Sequence, residues 1–284
     1  MSAAGAMRGG RVLRWTVLGG GFAFLYLPIL LLMVYSFNAS KLATVWAGFS
    51  TKWYGELLRD RQILQAAWIS LKVAFWTATA SMVIGTLAAM VMTRFRRFPS
   101  KSLFGALVTA PLVMPEVIIG LSIMMMLVSM GGLIGIPPKG VMAIWAAHVT
   151  FTLSFVTVVV SSRLQELDRS LEEAAMDLGA NRLKVFFLIT LPIIAPALVS
   201  GWLLAFTLSL DDVVIANFVA GPNSTTLPMT VFSSVRMGLK PKINALATLM
   251  VLAVSIAAFV GWWLMARSEK RRQRDIQLAQ QQGG

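Results

Sequence analysis

The 284-residue chain contains no cysteine and one histidine, His148. No disulfide and no thiolate metal site can therefore form, a lone imidazole holds no metal by itself, and the redox compartment is left open. Acidic residues are also scarce, 12 against 25 lysines and arginines, which gives a formal net charge of +13. An excess of that size would suit nucleic acid. Here, however, the basic residues flank apolar runs and are not interleaved with a polar aromatic surface, so no nucleic-acid partner is expected. No set of nucleophile, base and orienting group can be assembled, and no glycine-rich phosphate loop is present; the chain is not expected to be an enzyme or to hydrolyse ATP itself. What is abundant is apolar surface. With 57% hydrophobic residues and a mean hydropathy of +0.74, the composition is that of an integral membrane protein.

Six apolar stretches, near 15–36, 66–93, 102–130, 141–161, 193–219 and 243–266, each come close to or exceed the roughly 20 residues that cross a bilayer. The reading is an all-α polytopic protein, a single transmembrane domain over 1–284 with six helices. The second and third stretches are longer than a crossing needs and should tilt or protrude. The first follows three arginines, as a signal peptide would, yet it is longer than an h-region and is followed by Ser36-Phe37-Asn38, so a retained anchor is expected.

Alternating spans place Arg8, Arg11, Arg14, Arg94, Arg96, Arg97, Lys101, the Arg163 to Lys184 loop and the tail from Arg267 to Arg274 on one side. That side holds 16 of the 25 basic residues, the opposite loops hold 8, and Lys72 lies inside a span. The positive-inside bias makes it the cytoplasm, with both termini there. On the outer side, the 37–65 connection carries Trp46, Trp53 and Tyr54, expected chiefly at the lipid headgroups, with partner docking as the other use. Ile134 to Pro138 reads as a tight outer turn, Gly221 to Thr226 as the start of an outer loop, and Gln280 to Gly284 as a frayed end.

Between the fourth and fifth spans lies a charged amphipathic loop, 162–192. Leu164, Leu167, Leu171, Ala174 and Leu178 recur at three or four residues and should share one helical face, with Glu166, Asp168, Glu172 and Asp177 elsewhere. Gly179 can end that helix and Pro192 can open the next span. Such a ridge suits a groove on a soluble partner, with a lipid-surface helix as the plainer use. Glu173, Ala174, Ala175, Gly179, Ile189, Leu191 and Pro192 stand in the order and spacing of the EAA loop, and on these residues the chain resembles the permeases of ABC importers. The resemblance implies a type I importer permease fold and a loop whose coupling helices sit in a cleft of a cytoplasmic ATPase.

Three carboxylates fall inside apolar stretches: Glu116 in the third, and Asp211 with Asp212 in the fifth. Groups so costly in hydrocarbon are tolerated where they face a water-filled path, a partner charge or a cation. Glu116 follows Pro111 and Pro115, which remove backbone donors and interrupt the helix; it either lines a substrate path or is protonated or paired with Lys72 or His148. Asp211 and Asp212 would point about 100° apart on one helix, so that one can attract a cation while the other caps a helix or meets a basic group; the pair is read as serving substrate or gate, with purely structural pairing as the other use. His148 is read as a packing or hydrogen-bonding residue, with pH sensing or substrate contact as the other use. Met124 to Met126 and the aromatic stripes are read as packing or lipid contacts.

A path lined by acids favours positively charged cargo. Ser40 to Phe49, Trp53 to Leu58, Ala110 to Ile118 and Ser209 to Asp212 resemble the permeases of polyamine importers, most of all the putrescine type, over most of the chain. The resemblance implies inward transport of a polyamine across a bacterial inner membrane. It also implies a second permease, two ATPase subunits that use the ATP, an extracytoplasmic polyamine-binding protein, and no cofactor on this chain. Two rival functions fit parts of the same sequence: an ion-coupled organic-cation transporter using Glu116 and Asp211, and a membrane scaffold that recruits a soluble enzyme through the Glu173 loop. An importer of another cation is a third variant.

Overall fold

The computed structural model describes residues 3–42, 45–95, 98–134, 139–238 and 241–256, with positions 259, 263 and 267; side chains are described from 14 onward, 132–134 excepted. The side chains of Arg8 and Arg11, and Arg96, Arg97, the turn at 135–138, most of 257–266 and the tail beyond Arg267, are sequence expectations that lie outside what is described.

Among the described residues every regular element is helical. They are α1 (Ala3–Ser36), α2 (Lys52–Arg59), α3 (Arg61–Arg94), α4 (Lys101–Thr109), α5 (Glu116–Ile134), α6 (Val141–Glu166), α7 (Arg169–Asp177), α8 (Arg182–Val185), α9 (Leu191–Asp211), α10 (Val214–Val219), α11 (Leu227–Arg236) and α12 (Pro241–Ile256). A 3₁₀ turn at Ala110–Leu112 follows α4, and a π turn at Phe186–Thr190 joins α8 to α9. In a bilayer this is the expected outcome, because helices satisfy their own backbone groups where no water can.

Among the described residues four helices are long and apolar enough to span: Arg14–Ser36, Arg61–Arg94, Val141–Glu166 and Arg182–Asp211. The third expected span is not one rod. It breaks between Leu112 and Glu116 into Lys101–Leu112 and Glu116–Gly131, bent by 112°, and the pair counts as a fifth crossing only if taken as one broken span. Pro115 supplies the cause, since its ring and missing N–H forbid a continuous helix, and its carbonyl instead accepts from Ile118 and Ile119 at 2.9 and 3.2 Å to start α5. The fifth stretch ends as a helix at Asp211 and resumes at Val214, with Asp212 extended at ψ 130. The sixth is described as the shorter apolar helix Pro241–Ile256.

Two compact units emerge, Met1–Asp60 with Ser234–Gly284, and Arg61–Ser233. In the first, Asn38 organises the connection after α1. Its amide donates to the Val45 carbonyl at 2.7 Å and accepts from the Ser40 and Ala47 amides at 3.0 and 2.9 Å, while its carbonyl receives the Trp53 indole at 2.7 Å. Tyr54 shares a hydroxyl hydrogen bond with Ser36 at 2.6 Å. Trp53 is therefore buried within the connection and not available as the lipid anchor expected of it, half-buried Tyr54 ties the connection to α1, and Trp46 remains exposed against the edge of Tyr35. Asp60 and Lys242 form an ion pair.

In the second unit α3, α6 and α9 pack on one another, and α10 packs on α5 and α6. Small residues let the backbones approach, the usual solution where lipid removes the hydrophobic drive between helices. Ala78, Ala89 and Ala205 are fully buried with Val156, Val160, Leu164 and Ile194. Gly85 is required here: a Cβ would lie 2.9 Å from Cγ1 of Val156. Ser81 and Thr152 share a buried hydroxyl pair at 2.7 Å across α3 and α6.

Candidate functional site

The charged loop is built from three local devices. The chain leaves α6 at Leu167, which is extended at ψ 122, and Asp168 caps α7 by accepting from the Ser170 amide at 2.9 Å. That hydrogen bond holds the Asp168 carboxyl below its ordinary range. At the far end, the amides of Gly179 and Ala180 donate to Met176 and Ala175 at 2.9 and 3.1 Å, a Schellman ending made possible by φ +87 at Gly179. Asn181 then caps α8 by accepting from the Lys184 amide at 2.8 Å.

The single ridge expected from Leu164 to Leu178 is thus divided. Leu164 and Leu167 belong to the packed core, while Leu171, Met176 and Leu178 are exposed on the far side of the break, Leu178 at 90%. The periodicity was real, but Leu167 and Asp168 are extended and end the helical register. Glu173 and Ala174 lie exposed on α7, Ala175 half-buried, and Gly179 exposed at its end. Ile189 lies half-buried within the π turn, and Leu191 and Pro192 open α9. The π turn suits Pro192, which offers no amide and would crowd the carbonyl four residues earlier in a regular helix; the Leu191 amide reaches back five residues to Phe186.

Glu172, expected only to lie off the apolar face of the loop helix, is the residue that ties this loop down. Its Oε1 accepts from Arg94 Nη2 at 2.9 Å and from the buried Thr190 hydroxyl at 2.8 Å. Arg169 adds a bond to the Thr93 carbonyl at the end of α3, at 2.7 Å. Its carboxylate was visible in the sequence, but its partners lie 78 and 18 residues away and left no local signal.

The intramembrane acids do come together, and they divide into two kinds. Asp212 is buried. Its Oδ1 lies 3.2 Å from His148 Nε2 and accepts from the Ala216 amide at 2.8 Å, and Oδ2 receives the Ile215 amide at 3.4 Å. His148 Nδ1 is 2.8 Å from the Ser209 hydroxyl. In the neutral imidazole Nε2–H donates to the carboxylate and Ser209 donates to Nδ1, so both ring nitrogens are satisfied. Asp211, one residue earlier, is exposed at the end of α9. Glu116, exposed at the first position of α5, is within electrostatic reach of both aspartates. The pairing of Glu116 with Lys72 or His148 does not occur: His148 serves Asp212, and the Lys72 ammonium lies 4.8 Å over the Trp68 ring.

The family pattern described as binding-protein-dependent transport system inner membrane component matches residues 81–274, a stretch that contains both the loop and the acid cluster. The chain belongs to that family. It is the inner-membrane permease component of an ABC importer, a transport subunit and not an enzyme. The putrescine transport system permease protein PotI of Escherichia coli (strain K12) is 62% identical over 260 residues, covering 91% of this chain and 92% of that protein. The spermidine/putrescine transport system permease protein PotC of the same strain is 38% identical over 92% of this chain and 97% of its own. Among solved structures, a bacterial ABC transporter that imports the acidic polysaccharide alginate aligns at a TM-score of 0.72 with 15% identity, over 92% of this chain and 98% of that one. The inward-facing MetNI methionine ABC transporter aligns at 0.58, over 70% and 92%. At such identities these two speak for the importer permease fold.

Proposed function

We propose that this permease carries a polyamine, putrescine first, into the cytoplasm. The observation that carries the cargo is the 62% identity to a putrescine permease along nearly the whole of both chains. The 38% identity to a spermidine/putrescine permease keeps the class within polyamines. The acid cluster supports the same reading, because a diamine dication leaving water needs counter-charge and hydrogen-bond acceptors. Glu116 and Asp211, both exposed, are the carboxylates assigned to the path or its gate. Asp212 is assigned to hold the break in the fifth span in register through His148.

The partners are a second homologous permease, two cytoplasmic ATPase subunits that use the ATP, and an extracytoplasmic polyamine-binding protein; this chain carries no cofactor. The importer family as a whole supports ATPase and binding-protein partners. Exposed α7, with Glu173, Ala174, Ala175 and Gly179, and the segment through Ile189, Leu191 and Pro192 form the coupling surface. Both termini lie in the cytoplasm with it. ATP binding closes the ATPase pair, the loop moves with it, and the spans exchange inward for outward access. Uptake of labelled putrescine and spermidine by the reconstituted complex tests the cargo. Putrescine should be carried and should compete with spermidine, whereas uptake of neither would overturn it.

A further inference from the structure

The bonds around Glu172 join three elements, two of which, α7 and α3, are also linked by the bond from Arg169 to the Thr93 carbonyl. Arg94 ends α3, Glu172 lies in the first turn of α7, and Thr190 ends the π turn that feeds α9. Both Arg94 and Glu172 are largely shielded, with side chains 15% and 17% exposed. Charge-assisted hydrogen bonds at such a place are stronger than on an open surface. The arrangement is also incomplete. Both donors converge on Oε1, and the buried Nε of Arg94 finds no acceptor among the described residues. An arginine can meet a carboxylate with two parallel bonds, Nε and Nη2 against both oxygens; here it uses Nη2 alone. A buried donor left unpaired is costly, so a small rotation of α7 that brought Oε2 to Nε would have a ready gain. Thr190, bound to the same carboxylate, would feel that rotation at the root of α9.

We propose that Glu172 is the positioning residue that passes movement of α7 to α3 and α9, by exchanging a single-oxygen pairing with Arg94 for a two-oxygen one. This rests on the reading of the loop as the ATPase-docking segment. Glu172 touches neither nucleotide nor cargo and acts through Arg94 and Thr190. Its neighbour Glu173, exposed on the same helix, faces outward and is left to the docking partner.

The test uses the complete complex in proteoliposomes, with its second permease, ATPase subunits and binding protein. Glu172→Gln and Thr190→Val are compared with wild type for recovery of the ATPase in a pull-down, ATP hydrolysis and putrescine uptake. Both variants should hold the ATPase at close to wild-type recovery. Uptake per ATP hydrolysed should fall about tenfold in Glu172→Gln, the worth of one charge-assisted hydrogen bond, and less in Thr190→Val. Arg94→Glu alone should uncouple as well, and combining it with Glu172→Arg should restore part of the lost ratio at unchanged ATPase recovery. Wild-type uptake per ATP in Glu172→Gln and Thr190→Val overturns the proposal. Thr190→Val removes a single hydroxyl and decides the matter where Glu172→Gln does not assemble. A Gly179→Asp complex that docks the ATPase and transports normally would instead overturn the docking role of the loop, so the two failures are distinguishable.

Discussion

The two adjacent aspartates show how one residue step changes a carboxylate's task. Asp212 turns inward because the helix stops at Asp211 and an extended residue follows; its oxygens then take two amides of α10 and the His148 ring. Asp211 keeps its helical direction and remains exposed. The account predicts different phenotypes for the same chemical change. Asp212→Asn leaves His148 with a poorer partner in a buried site and should lower stability by about 1–3 kcal/mol. Asp211→Asn should leave stability within about 0.5 kcal/mol, as exposed substitutions do, while reducing polyamine uptake. Thermal unfolding of the purified protein, read beside uptake by the complex, separates the two. Equal loss of stability in both variants would contradict the division.

At the scale of elements, the EAA-like segment is a helix with a specified end. Gly179 sits at φ +87, where a side chain strains the backbone by about 1–2 kcal/mol. Gly179→Asp should therefore fray the end of α7 and weaken ATPase recovery on membranes, with insertion of the permease unchanged; Glu173→Lys should weaken recovery by charge alone. Wild-type recovery with wild-type uptake in both would remove the loop from coupling. Much of this element was legible in the sequence, because Gly179, Asn181 and Pro192 act on their own neighbours. The Leu167–Asp168 break was missed, since an unbroken leucine spacing runs across it. Pro111 and Pro115 announced an interruption of the third span but not the angle, which depends on packing against other helices. The His148–Asp212 and Arg94–Glu172 pairs join residues far apart in the chain, and no pattern of spacing marks them. Trp53 is the converse case: composition suggested lipid, while a polar partner in Asn38 draws it into a buried place.

For the whole molecule, the distribution of basic residues and the family membership agree on a multi-pass inner-membrane subunit. The orientation can be tested cleanly, because the chain has no native cysteine. Single cysteines at Ser100, beside α4, and at Asn223, beyond α10, should react with an impermeant reagent from opposite faces, Asn223 from outside. Reaction of both from outside would overturn the cytoplasmic placement of Arg94, Lys101 and the loop. The central claim is that polyamine entry is driven by ATP on a partner and not by an ion gradient through Glu116 and Asp211. Accumulation of labelled putrescine in proteoliposomes bearing the complete complex decides this, with the ATPase subunits present or omitted and with ionophores added or withheld. The account predicts uptake that requires the ATPase and ATP and survives collapse of every ion gradient; uptake that persists without the ATPase and vanishes with the ionophore would contradict it.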